Sequence, residues 1–408
     1  MNFDPAALRT EFPILALRPH GQPLHYLDNG ATAQVPRAVL DAILRHETGA
    51  RANVKRSVHY LAEAATEAYE AARNTLATYL NAADADEIIL TSGCTAAINL
   101  LAHSFGSRLD PGDEVLISVL EHHSNIVPWQ MLRERRGIVL KAIPVTSEGR
   151  LDLDRMESLL GKRTRLMALT HVSNVTGAET DVARVVAAAR VVGARVFLDG
   201  AQRAPHGPLD VRGLGIDFYA FSGHKMFGPN GVGVLWGRKE LLETMPPFLG
   251  GGEMIERVTI ERTSYAEVPR RFEAGTPPIA QAVGLAAAAN WIAGLDQEAV
   301  HAHLARLTGR LLEGLARFRR LRVIGPQGLQ ARYPVVSFAI DGAHPHDVCQ
   351  ILDRHGVALR GGHHCAQPLM DAFGVAGTTR ASLACYNDTD DIDALLTGLE
   401  DAMARLGR

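Results

Sequence analysis

The tightest constraint on the fold is an alternation that runs from about Ala82 to Trp236. Short aliphatic runs (EIIL, EVLIS, KAIPV, RLMALTHV, RVFLD, DFYAFS, GVGVLW) are interleaved with stretches of helical pattern such as TAAINLLAHSF and VARVVAAARVVG. Strands buried on both faces read as continuous apolar runs, and parallel neighbours are joined by long crossovers, usually helices. The expected class is therefore α/β, a mostly parallel sheet flanked by helices, with ligands at the carboxyl ends of its strands.

The chain has 408 residues, more than one average domain. Beyond VGLAAAANWIAGL, the segment from Glu298 to Arg408 reads as helix, strand (VVSFAI), helix (DVCQILDRHG), strand (VALR) and closing helix (DIDALLTGLEDAMARL). That is the pattern of a smaller α+β lobe. The expected division is a large domain over 23–297 and a small one made of 1–22 with 298–408.

Several function classes are disfavoured at once. With 42 Lys+Arg against 45 Asp+Glu the formal charge is -3, so no polyanion-binding excess points to nucleic acid. The start, MNFDPAALRTEFP, has acids and a proline where a secretory signal needs a basic end and an apolar run. The most apolar long window, Ile279 to Leu295, is broken by Gln281 and Asn290, which favours a buried helix over a membrane span. Cys94, Cys349, Cys365 and Cys385 show no paired spacing, so a reducing cytoplasm is expected and any of the four is available as a working thiol.

Three features carry chemistry. TSGCTAAIN (91–99) stands where a strand hands over to a helix, and backbone N–H groups at such an N-terminus, opened by Gly93, make an anion site from Cys94 and Thr95. In RVFLDGAQ, Asp199 ends a buried run and so faces the ligand crevice. DFYAFSGHKMFGPNGVGVLW puts Ser222, His224 and Lys225 directly after another strand, at the same end of the sheet. An isolated lysine is usually solvated; beside a phosphate cup and a carboxylate it matches what pyridoxal 5'-phosphate needs. The cup takes the phosphate, Asp199 keeps the ring nitrogen protonated, and Lys225 forms the Schiff base. His123, in EHHSNIVPW, is available to stack on the ring. The pairs His122–His123 and His363–His364 lack the spacing of a metal site, and no metal is expected.

A further signal lies in the small lobe. RGGHHCAQP places Cys365 after two glycines and two histidines on a loop, a setting that lowers a thiol pKa from about 8.5 and makes the sulfur nucleophilic. GTTRASLACYN supplies Arg380, whose planar fork suits a substrate carboxylate. Cys349 and Cys385 read as buried small hydrophobes.

Taken in order, YLDNGATAQVP, the cup, EHHSN, THVSNVTG, LDGAQ, SGHKMFGPNG, FEAGTPP, RGGHHCAQP and TTRASLACYN resemble the SufS-type cysteine desulfurases of aminotransferase class V, over nearly the whole chain. The resemblance implies a fold-type I transferase, its large domain built on a mostly parallel seven-stranded sheet and its small α+β domain carrying the Cys365 loop. It implies a homodimer with Lys225 as the cofactor lysine, Asp199 on the ring nitrogen, Gln202 near the ring hydroxyl and His123 stacked on the ring. Phosphate would be held by Cys94, Thr95, Ser222 and His224, with Thr276 arriving from the other subunit. Asn174, Arg380 and Ala31 would hold the substrate, and Cys365 would accept its sulfur. The implied reaction converts L-cysteine to L-alanine, with a persulfide on Cys365 passed to a SufE-like or SufU-like partner in iron–sulfur cluster assembly. The same scaffold supports selenocysteine lyase, since selenium leaves more readily than sulfur. A non-catalytic sulfur-transfer scaffold is the remaining alternative, opposed by the intact set Lys225, Asp199, Arg380 and Cys365.

The chain departs from that family at a few places. Cys94 and Ala96 stand where the cup normally has Thr and Glu, and Lys55 and Ser57 where His and Gly are usual, with Arg56 and His59 retained. Gly361 replaces a common Thr or Ala, from which a more mobile Cys365 loop is expected.

Overall fold

The computed structural model describes residues 3–55 and 58–406. Arg56 and Ser57, two of the positions considered above, lie outside the described residues. Seven strands form one sheet: β1 (Ile88–Thr91), β2 (Glu114–Ser118), β3 (Val139–Ile143), β4 (Thr164–Thr170), β5 (Arg195–Asp199), β6 (Phe218–Ser222) and β7 (Gly233–Gly237), in the order β1-β7-β6-β5-β4-β2-β3. Every pairing from β6 to β3 is parallel, and β7 alone runs against its two neighbours, β6 and β1. The mostly parallel sheet expected from the aliphatic runs is therefore present.

Side-chain alternation divides that sheet between two apolar clusters, because successive strand residues point to opposite faces. Val196, Leu198, Tyr219 and Phe221 pack into one cluster. Phe197, Phe218 and Ala220 pack into the other, together with Cys94, Ile98 and Leu101 of the helix Cys94–Ser104. The same alternation puts Asp199 and Ser222, at the ends of β5 and β6, on this second face. All loops that follow β1, β2, β4, β5 and β6 leave from one edge, which is where the residues singled out above gather.

A second sheet of four antiparallel strands follows: β8 (Leu321–Ile324), β9 (Val335–Ile340), β10 (Arg360–Gly362) and β11 (Thr378–Ser382), ordered β8-β9-β11-β10. The N-terminal segment is tied to it. Residues His25–Tyr26 pair in parallel with Val357–Ala358, and Asp28 bridges Ser382. Arg9 and His25 both reach the buried carboxylate of Asp391, at 3.1 and 2.7 Å. These contacts bring the start of the chain to the second sheet, where it covers the side of the cleft that Arg380 enters. No described helix is long and apolar enough to cross a membrane, and no group of three or more His, Cys, Asp or Glu among the described residues is placed to hold a metal. All four cysteines are unpaired.

Candidate active site

A cavity of about 820 Å³ opens at the carboxyl edge of the large sheet, and both sheets contribute to its walls. The cup residues Cys94 and Thr95 line it with Ser222 and His224; Asp199, Gln202 and Lys225 form its floor; Asn174, Arg360, His364, Arg380 and Ala31 close it from the other side.

The cup is built as the strand-to-helix handover requires. Gly93 adopts φ 146, a conformation that side chains rarely take, and starts the helix so that the backbone N–H of Cys94 donates to Oγ of Ser222 at 2.8 Å. A Cβ on Gly93 would already meet that hydroxyl at 3.4 Å. Helix N–H groups and a hydroxyl face the cavity here, a setting suited to an anion.

Asp199 is 5% exposed, and its Oδ1 accepts from the backbone N–H of Ala201 at 2.9 Å and from the thiol of Cys94 at 3.3 Å. Lys225 ends the short turn Gly223–Lys225 after β6. Burial lowers the pKa of its amine, partly opposed by the negative charge of Asp199. A lowered amine pKa is what a lysine needs to act as a nucleophile or base near neutral pH. Gln202 donates from Nε2 to the carbonyl of Gly30 at 2.8 Å, which fixes it on the cavity floor.

Arg380, on β11 and 2% exposed, donates to Oδ1 of Asp28 at 3.1 Å and to the carbonyl of Asn174 at 3.0 Å. Its buried Nε has no partner among the described residues. A buried guanidinium with one carboxylate and a spare donor is suited to a second carboxylate. Arg360 lies opposite it in register on β10 and lines the same cavity.

The two histidines of EHHSN go to different places. His122 lines the cavity, and its Nδ1 accepts from the backbone N–H of Ser124 at 3.1 Å, with Oγ of that residue 2.7 Å away. Burial, followed by the charge of Lys225, pushes its pKa down to about 3, so the ring is neutral. His123 does not line the cavity: its ring lies 5.6 Å from that of His363, and its Nε2 accepts from the backbone N–H of Gln367 at 3.2 Å. The reason is local. His122 is extended and His123 begins a 3-10 turn, so consecutive side chains diverge. The place at the cavity expected for His123 is therefore held by His122.

Cys365 sits at the rim rather than in the lining of the cavity. It follows His364, and both residues adopt left-handed φ values, 51 and 56. Non-glycine residues held there signal a loop fixed by its surroundings. His123 donates from its backbone to the carbonyl of Cys365 at 2.7 Å, and His364 places Nε2 3.0 Å from the carbonyl of Thr378. Gly361, where a more mobile loop is expected, pairs with Thr379, and a Cβ there would sit 2.9 Å from the carbonyl oxygen of Pro345. Close approach is one thing the glycine allows. Thr276 lines a separate surface cavity with His46 and Arg51, away from its own chain's Lys225.

Residues 25–395 match the family model described as Aminotransferase class-V. The chain is 47% identical to a probable cysteine desulfurase of Streptomyces coelicolor, over 97% of this chain and 96% of that one. Among solved structures it resembles the cysteine desulfurase CsdA of Escherichia coli in an S-sulfonic acid form, with TM-score 0.91 and 41% identity over 99% of each chain. The chain belongs to the cysteine desulfurases of the aminotransferase class-V family. It also resembles, at TM-score 0.82 and 26% identity over 96% of this chain and 99% of the other, a C-DES mutant with glycine covalently linked to its pyridoxal phosphate.

This desulfurase accordingly has the fold-type I architecture, and its cofactor is pyridoxal 5'-phosphate. The residues present fit that group: N–H donors and hydroxyls stand at the cup, Asp199 at the floor and a buried amine beside it. The lining that sequence reasoning missed consists chiefly of His122, Arg360 and His364. His122 is the immediate neighbour of the histidine expected at the cofactor, and Arg360 stands in the same glycine-rich segment as Cys365.

Proposed function

We propose that this desulfurase converts L-cysteine to L-alanine and captures the sulfur as a persulfide on Cys365, as a SufS-type enzyme that feeds an acceptor protein. The observation that carries the reading is the convergence of Lys225, Asp199 and Arg380 on one cavity, with the Cys365 loop pinned to its rim by Asn174, which donates from Nδ2 to the carbonyl of His364 at 2.8 Å.

Bound here, pyridoxal phosphate supplies an electron sink conjugated to the substrate's Cα. Cys94, Thr95, Ser222 and His224 would hold its phosphate, Asp199 its ring nitrogen and Gln202 its ring hydroxyl, with His122 the imidazole available to its ring. Arg380 and Asn174, beside Ala31, take the substrate carboxylate and so orient its sulfur toward the rim. Lys225, its amine neutral in a larger fraction than usual because of burial, removes the Cα proton. The Cys365 thiolate then attacks the substrate sulfur: an S–S bond forms, the C–S bond breaks with its electrons going to carbon, and a proton completes alanine.

Thr276 reaches no cup in its own chain, which suits delivery to the cup of a second subunit in a homodimer. The two lobes are assigned as 23–297, and 1–22 with 298–408. A SufE-like or SufU-like protein would take the persulfide toward iron–sulfur clusters, and unpaired cysteines suit a reducing cytoplasm. The test is alanine release from cysteine by Cys365→Ser. The variant is expected to bind the cofactor as the parent does and to lose desulfurase turnover; full turnover would overturn the assignment of Cys365.

A further inference from the structure

We infer that Cys94 is a positioning residue: its thiol holds Oδ1 of Asp199, so that Oδ2 is the oxygen left for the cofactor's ring nitrogen. The inference rests on the role proposed for Asp199 and goes one step past it.

The geometry starts at the helix N-terminus. Cys94 is 4% exposed, belongs to the apolar cluster on the second face of the sheet, and has its sulfur 3.3 Å from Oδ1 of Asp199. By the alternation of β5, the carboxylate projects to that same face. Oδ1 thus carries two donors, the thiol and the backbone N–H of Ala201 at 2.9 Å. Oδ2 accepts from none of the described residues, and Asp199 lines the cavity.

The last torsion of an aspartate is broad, so one donor alone leaves the carboxylate plane free to swing. A second donor on the same oxygen removes that freedom. A thiol is also a weak donor, so it orients the carboxylate while drawing off little of the charge that the ring N–H must meet. Burial and the neighbouring Asp199 raise the thiol pKa well above its ordinary value, which keeps the proton on sulfur and the group a donor.

Two variants of nearly equal shape decide the matter. Cys94→Thr keeps a donor; Cys94→Val does not. Apoprotein is titrated with pyridoxal 5'-phosphate, followed by fluorescence quenching, and inorganic phosphate is used as a competitor. Cys94→Thr is expected to bind within about twofold of the parent and Cys94→Val about tenfold more weakly, as for one lost hydrogen bond to a charged group. Phosphate should compete equally well in both. Equal cofactor affinity in the two variants, or a parallel loss of phosphate affinity in Cys94→Val, overturns the inference, because the thiol would then only pack or shape the cup. Should Cys94→Val not fold, Cys94→Ser and Cys94→Ala are read in the same way. Asp199→Ala separates the two levels: unchanged cofactor affinity there sinks the role of Asp199 itself, whereas a loss there with equal Thr and Val variants sinks the assignment of Cys94 alone.

Discussion

Asn174 and His364 meet across the two sheets: Nδ2 of Asn174, on the loop after β4, donates to the His364 carbonyl at 2.8 Å, one residue before the proposed sulfur acceptor. The carbonyl of Asn174 accepts from Arg380 in turn. One asparagine therefore links the large sheet, the cysteine loop and the guanidinium that would hold the substrate.

Removing that link should free the loop. In Asn174→Ala the rate of Cys365 alkylation by iodoacetamide is expected to rise several-fold, with cysteine kcat/KM falling at least tenfold, about 1.4 kcal/mol in the barrier. Alkylation at the parent rate would show that the left-handed residues hold the loop without the tether.

The pair Asp28–Arg380 makes a second prediction. Asp28→Asn leaves a buried guanidinium without its carboxylate, and breaking a buried pair in this way costs about 3 kcal/mol. Denaturant unfolding of the apoprotein should show the loss, and KM for cysteine should rise. Added substrate-like carboxylates should restore part of the stability, because they bind the folded state alone.

Acid sensitivity follows from buried neutral imidazoles. Burial pushes His122, His171 and His206 down to about 3 and His364 to about 2, whereas each takes a proton near its ordinary value when unfolded. Between roughly pH 6.5 and 3 the unfolded chain binds more protons than the fold, so stability falls as pH drops through that window. Glu121, whose carboxyl burial raises to about 8, acts with the opposite sign by at most one proton. Denaturation midpoints between pH 7 and 4.5 should therefore decline steeply, and proton uptake on unfolding at pH 5 should exceed one per molecule.

The histidine correction is testable directly. His122→Ala should shift the absorbance of the bound cofactor, while His123→Ala should leave it unmoved and instead raise the reactivity of Cys365, whose loop His123 braces. The reverse pattern would restore the expectation drawn from sequence.

These cases show where sequence was legible. Asp199, Ser222 and Lys225 could be found because continuous apolar runs mark parallel strands, and the residue after such a run faces the crevice whatever the rest of the chain does. His122 could not be separated from His123, because a 3-10 turn of three residues, His123–Asn125, decides which ring turns inward and leaves no periodic trace. Arg360 was hidden for another reason: it enters the cavity through its pairing with Arg380, and the register of a short edge strand is set by long-range packing. The pairing of His25–Tyr26 with Val357–Ala358 was equally out of reach, two residues being too few to show any alternation.

Gly361 gives the last prediction, because mobility and close approach call for opposite outcomes. If the glycine loosened the loop, Gly361→Ala would reduce the freedom of the unfolded chain and stabilise by about 0.4–1 kcal/mol. In the structure the new methyl would instead meet the Pro345 carbonyl and the His346 ring, each at 2.9 Å. Overpacking of this kind costs about 1–3 kcal/mol. The strand carrying Arg360 should then separate from the helix Pro345–Asp353, lowering the melting temperature and weakening cysteine binding through the displaced Arg360. A melting temperature at or above that of the parent would mean that Pro345 yields without strain and that the contact does not fix the loop.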